Sequence, residues 1–232
     1  MQILNKLGKE KKIVLFGDSA FAEIAYEYFT HDSGYEVVAF TVSKSYLKKD
    51  SLFNLPIVPF EEVETLYPPQ LHEMHIALVY TNINRVRIRF YNEAKAKGYK
   101  MANYISSKAF VWNNVTIGDN CFIFEDNTIQ PFVKLGSNNV LWSGNHIGHH
   151  SSIGNHNFIS SHVVISGFCT IGNANFMGVN STMGNNLSVG NDCLIGSFTH
   201  IVRPVKDGSL IKGTPNKPDE ISTYERFKIS DE

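Results

Sequence analysis

No sign of charge dominates this sequence: 21 Lys and Arg stand against 22 Asp and Glu, for a formal net charge of −1. That balance supplies no broad basic field for nucleic acid. Cysteine is scarce. Cys121, Cys169 and Cys193 are an odd number without C-x-x-C spacing, which argues against a disulfide framework or a zinc knuckle. Apolar runs are too short to cross a bilayer. The first residues, MQILNKLGKEKK, lack the apolar core and small-residue cleavage site of a secretory signal, so the expected location is the cytoplasm. What remains, 43% hydrophobic and 19% charged over 232 residues, describes a globular chain with room for one large or two small domains.

The strongest pattern present has a period of six. Every sixth residue from Val111 through Ile117, Ile123 and onward to Ile201 is aliphatic, sixteen positions without a break. The next residue is glycine nine times, as at Gly118, Gly148, Gly154 and Gly196. Six fits neither an amphipathic helix nor a simple alternating strand. It fits a chain that turns a corner every six residues, so that three short parallel strands make one coil of eighteen. Gly, Asn and Asp suit the corners, where positive φ is needed. A second inward position lies four residues after each aliphatic. It holds all three cysteines together with Val115, Val133, Ser151, Val163 and several asparagines. The cysteines are therefore expected as small core side chains. About five coils at a strand spacing near 4.8 Å give a prism about 25 Å tall.

This pattern resembles the hexapeptide repeat of the left-handed β-helix acyltransferases, across residues 111 to about 215. The resemblance, rather than the spacing, implies the left hand of the coil, an exception to the usual right-handed crossover. It also implies a homotrimer with active sites between neighbouring prisms.

The N-terminal hundred residues read differently. KIVLF (Lys12 to Phe16), YEVVAFTV and MHIALVY are strand signals. GDSAFAEIAYEYF carries a helical pattern from Phe21 to Phe29, and RVRIRFYNEAKAKGYK another that ends at Gly98. Alternation of this kind implies a small parallel sheet with flanking helices, a Rossmann-like α/β unit. The turn Gly17-Asp18-Ser19-Ala20 sits where a dinucleotide fingerprint would be, but only Gly17 of that pattern remains. The second strand ends in Thr41-Val42-Ser43 without the acidic residue that holds an adenosine ribose. An NAD site is not expected. The turn either receives a phosphate at the helix N-terminus or only packs helix on sheet.

The expected organisation is a βαβ unit over 1–105, a left-handed β-helix over 106–215 and a tail over 216–232. That order of parts resembles the sugar O- and N-acyltransferases typified by the sialic acid O-acetyltransferases and the bacillosamine-pathway N-acetyltransferases. In such proteins the small domain binds the nucleotide of a sugar nucleotide. The resemblance carries that role to Gly17, Asp18, Ser19 and Ala20, with Asn82, Asn84 and Arg85 after the third strand. This chain departs in having Phe21 where the family usually has His, and in lacking an acidic pair after the second strand.

The stretch from Gly144 to Gly167 holds five of the nine histidines. His150, His156 and His162 are six apart and so lie on three different corners of one coil. They cannot converge on one metal within a chain, and His156 and His162 read as solvated turn residues. The γ-type carbonic anhydrases share the fold and bind zinc through an H-x4-H pair that this chain lacks, with Asn113 and Asn114 where a third histidine would be sought. His149 is different. GHHSSIG matches the family segment that carries the catalytic base, and Gly167, eighteen residues on, stacks above it. The resemblance makes His149 the base and the Gly167 N–H the donor to a thioester carbonyl. His150 stands where relatives carry an acidic residue that orients the base. Imidazole titrates near neutral pH, and a fixed N–H suits a tetrahedral oxyanion, so direct acyl transfer without an acyl-enzyme is chemically coherent. Trp142, seven residues before the base, reads either as a platform for a sugar or aromatic acceptor or as a cap at a trimer interface. After the last coil, Gly213, Pro215 and Lys217 match the family segment that contacts coenzyme A, with Lys212 and Arg203 as further phosphate partners. The tail DEISTYERFKISDE reads as a short helix or a frayed end.

The sequence thus points to a trimeric, metal-free, acetyl-CoA-dependent acetyltransferase acting on an amino or hydroxyl group of a sugar, with a nucleotide-linked sugar as the expected acceptor. Two alternatives stay open: a zinc hydratase on the same prism, and a non-catalytic trimeric module that binds a nucleotide.

Overall fold

A computed structural model describes residues 9–213 and 220–229. The first unit is a five-stranded sheet in the order β3-β4-β2-β1-β5, built from β1 (Lys11–Phe16), β2 (Tyr35–Val42), β3 (Ser51–Leu52), β4 (Leu55–Pro59) and β5 (His72–Ile76). All pairings are parallel except β3 with β4. Helices α1 (Ala20–His31), α2 (Val63–Leu66) and α3 (Arg85–Ala96) flank it. The sequence shows β1, β2 and β5 because each carries buried residues within or beside an apolar run; β3 is a two-residue edge strand and β4 a short strand bearing prolines, and neither carries such a signal.

The prism follows. Strands two residues long pair with those eighteen residues away, as in Thr128↔His146↔Val164. They stack into three parallel sheets of seven, six and five strands. From Asn120 to Phe198 every sixth residue has positive φ. Asn and Asp tolerate this conformation; Phe132, Phe168 and Phe198 adopt it too, at a steric cost of about 1 kcal/mol each. The series begins one step earlier than expected. Tyr104–Ile105 already pairs with Phe122–Ile123, so the boundary lies before residue 104 rather than after 105.

The interior is a column of aliphatics with Cys121, Cys169 and Cys193 buried among them. Asparagines in the second inward slot form ladders. Asn157 donates its N–H to Asn139 Oδ1 at 2.8 Å and accepts from Asn175 N–H at 2.8 Å, while its Nδ2 reaches Gly172 O at 3.0 Å. A buried amide is tolerated here because both of its ends are paired.

The small unit packs on the seven-stranded face. Phe21 meets Phe122 edge-on, and Trp142 stacks on Phe124 with centroids 4.4 Å apart. Trp142 is therefore half-buried between the two units, on the face that the small unit covers. Phe21, the departure from the family's histidine, belongs to the same packing. At the adjoining corner α3 lays Arg87, wholly buried, across the carbonyls of Asn138, His156 and Asn157. That cover corrects the reading of His156 as a solvated turn: it is half-buried against Tyr91. His162 is exposed, as a turn residue should be. In the tail, α4 (Thr223–Phe227) forms behind a Ser222–Glu225 capping box.

Candidate active site

Position two residues after the inward aliphatic, on the corner between the six- and five-stranded faces, carries His149, Gly167 and Asn185 on successive coils, with Arg203 in the same place one coil on. His149 is held by its backbone: its N–H donates to Gln130 Oε1 at 2.9 Å and its carbonyl accepts from Phe168 N–H at 3.0 Å. The ring lies flat over Gly167. A Cβ on that glycine would stand 2.8 Å from the imidazole Cε1 and 2.9 Å from Nε2, so the position admits only glycine while the ring stays. His149 Nδ1 faces His150 Nδ1 at 3.1 Å. The His150 ring is itself clamped between Phe132 and Phe168, at 4.5 and 4.9 Å, and Phe168 also meets His149 edge-on at 5.0 Å. With one proton shared across the Nδ1 pair, His150 fixes the His149 ring and leaves Nε2 on the Gly167 side.

The expected donor is engaged in this structure. The Gly167 N–H is not free: it donates to Asn185 Oδ1 at 2.9 Å, and the Gly167 carbonyl accepts from Asn186 N–H at 3.1 Å. Sequence reading also missed Gln130, Phe132, Phe168 and Asn185. Counting eighteen in each direction from His150 finds Phe132 and Phe168, and a second step of eighteen beyond Gly167 finds Asn185.

The Gly17 turn lies elsewhere, at the C-terminal edge of the small sheet. Gly17, Asp18 and Ser19 line a cavity of about 320 Å³ with Ser43, Tyr46 and Arg89. Gly17 adopts φ +129°, and a side chain there would press on the Ala77 carbonyl. Ala20 is exposed and opens α1 beside this cavity without lining it. Asn84 does not fit its assigned role. It is wholly buried, in a left-handed conformation at the N-terminus of α3, and gives its Nδ2 to the Asn175 carbonyl at 3.0 Å. Arg85 likewise pairs with Asp192 of the prism. These two residues fasten the small unit to the prism, and Asn82 is an exposed turn residue beyond the cavity lining.

Arg203 and Lys212 are exposed at the last coil, and Gly213 packs against the Ser197 backbone. Pro215 and Lys217 lie outside the described residues. Among the described residues no three His, Cys, Asp or Glu side chains come together within the chain as a metal would need, and no helix is long and apolar enough to cross a membrane. The thiols face inward, and burial pushes Cys121 up to about 12, far from a working nucleophile.

The bacterial transferase hexapeptide (six repeats) family matches residues 132–167, the stretch that holds this corner. No curated protein matches the sequence. Among solved structures, the chain is similar to the acetyltransferase domain of PglB from Neisseria gonorrhoeae, at 19% identity and TM-score 0.77 over 90% of this chain and 100% of that one. It is similar to PerB from Caulobacter crescentus in complex with CoA and GDP-perosamine, at 20% identity and TM-score 0.78 over 90% and 97%. A histidine mutant of perosamine N-acetyltransferase from the same organism, with the same two ligands, aligns at 20% identity and TM-score 0.80 over 90% and 96%. The fold is therefore the hexapeptide-repeat left-handed β-helix preceded by a small α/β unit.

Proposed function

We propose that this protein is a CoA-dependent acetyltransferase whose acceptor is a nucleotide-linked sugar bearing a free amino or hydroxyl group. The observation that carries the reading is the His149 imidazole, fixed by His150 and seated on Gly167 at an open prism corner. His149 Nε2 takes the proton as the acceptor nitrogen or oxygen attacks the thioester carbonyl, and returns it to the departing CoA thiolate. Solved neighbours of the same architecture hold CoA and GDP-perosamine, and one is a histidine mutant, which supports the same division of labour here. Arg203 stands at the end of the corner column and Lys212 is exposed after the last strand of the seven-stranded face; both are suited to the phosphates of CoA.

The assembly is a homotrimer in this reading. The small unit and its nucleotide cavity sit on the seven-stranded face, while His149 occupies the corner between the other two faces, opposite in the triangle. A sugar held in the cavity of one chain therefore meets the base of a neighbour. The six-stranded face supplies a surface for that neighbour, with Phe110, Val164, Val179, Phe198 and Val202 exposed on it or at its edge. Calorimetric titration with acetyl-CoA, followed by transfer assays on GDP- and UDP-linked amino sugars, tests the reading. Saturable donor binding near one per chain is expected, and His149→Ala should bind donor normally while losing about 10³-fold in kcat. Normal kcat in that variant, or no donor binding at millimolar concentration, would overturn it.

A further inference from the structure

The geometry points to Asn185 as the catalytic donor to the thioester carbonyl oxygen, through its side-chain amide; this rests on the acetyltransferase reading. Gly167 offers its N–H to Asn185 Oδ1 at 2.9 Å, and a donor already engaged cannot meet an oxyanion without first breaking that bond. The Gly167 carbonyl is held by Asn186 N–H, so the peptide does not turn freely to release it. The same contact orients the asparagine. A backbone N–H only donates, so Oδ1 must face it, and the planar amide sends its two Nδ2 protons the other way. Asn185 is exposed, and among the described residues its Nδ2 reaches no acceptor.

A free amide is not enough by itself. Asn155 has one on the next corner, where its Oδ1 accepts from Ser137 N–H, but no base stands there. Higher on that corner Asn173 spends its Nδ2 on Asn191 Oδ1, a purely structural use. Asn185 alone of these shares its corner column with His149, two coils away and about 10 Å along the prism axis. The His149 ring lies over Gly167 and the Asn185 amide is bonded to the N–H of the same glycine, so a carbonyl set outward of Gly167 falls between the two side chains.

The step balances without further reagents. The acceptor lone pair forms a bond to the carbonyl carbon, the carbonyl π pair moves onto oxygen, and the acceptor proton passes to His149 Nε2. The Asn185 N–H groups hold the oxyanion. Its pair then returns, the carbon–sulfur bond breaks, and the thiolate takes the proton back from His149.

The test is thiol release from acetyl-CoA with a panel of nucleotide-linked amino sugars that begins with GDP-perosamine. Asn185→Ala removes the amide and frees the Gly167 N–H. A kcat lower by about 10²-fold with little change in the KM for acetyl-CoA is expected. Unchanged or higher kcat would show that the freed backbone N–H is the donor and would overturn the assignment. Asn185→Asp keeps an acceptor for Gly167, so it should retain the wild-type melting temperature; it loses the donor and adds a negative charge beside the oxyanion, so it should lose more kcat than the alanine variant. Retained kcat in this variant overturns the assignment as well. Absence of thiol release by the unmodified protein across the panel would instead overturn the acetyltransferase reading, and this inference with it.

Discussion

At Gly167 the constraint is steric rather than conformational. Its φ lies outside the left-handed region, yet any Cβ would press into the His149 ring. Gly167→Ala should therefore leave the melting temperature nearly unchanged and lower kcat by about 10²-fold, since the base must move off its position. Circular dichroism melts and steady-state kinetics on one preparation check both halves. Several residues were legible in the sequence: His149, His150 and Gly167 share a corner by counting alone, and the cysteines fall in the inward slot. Trp142 and Asn84 were not legible. Their burial depends on which face the small unit covers and how α3 meets the prism, and no periodicity encodes either. The engagement of the Gly167 N–H was not legible either, because its partner is a side chain on the next coil.

The coil repays the same treatment. Each turn of the ladder is closed by side-chain amides as much as by strands only two residues long. Asn157 bonds to the coil below and two groups above, so Asn157→Leu strips the Asn175 N–H and the Gly172 carbonyl of their partners. The cost should be about 3 kcal/mol, read as a lower urea midpoint. Cys169 and Cys193 sit in the same slot where the neighbours of the ladder allow a thiol, so Cys→Ala there should cost less than the asparagine change. The prism was legible because one period governs both its core and its corners. In the small unit the long buried strands and α3 were legible, but β3 and β4 were not, since their sequence differs little from a loop. α3 stops at Ala96, just before the glycine that signalled its end.

Across the whole molecule, the seam between the two units sets buried polar groups beside its aromatic packing and is sensitive to acid. His75 is fully buried there and its pKa falls from 6.5 to about 4, first because burial disfavours the charged ring and then because Arg87 is near, against the raising effect of the Ala102 carbonyl. His156 falls to about 4 as well, through burial and then Arg87 and Arg85. A depressed histidine pKa means that between pH 6.5 and 4 the unfolded chain binds protons the folded one refuses. Stability is therefore full above pH 6.5 and declines as the pH falls toward 4, by up to about 3 kcal/mol for His75 and by less for the half-exposed His156. His75→Gln should flatten the decline of the urea midpoint between pH 7 and pH 4.5. Assembly carries its own prediction. Equal co-expression of a His149→Ala chain and a chain disabled at Arg89 in the Gly17 cavity should restore about a quarter of wild-type turnover, if each site joins the cavity of one chain to the base of the next. Two inactive preparations that stay inactive when mixed as hybrids would place cavity and base in one chain. The repeat that builds the prism also makes it a ruler. From His149 to Arg203 the corner is graduated in coils of eighteen residues, each adding about 4.8 Å. A whole coil gained or lost slides the two ends of the site by one graduation and leaves every inward residue inward. Any other change of length turns the far end to a different face, so the reach of the site along its donor can vary only in discrete steps.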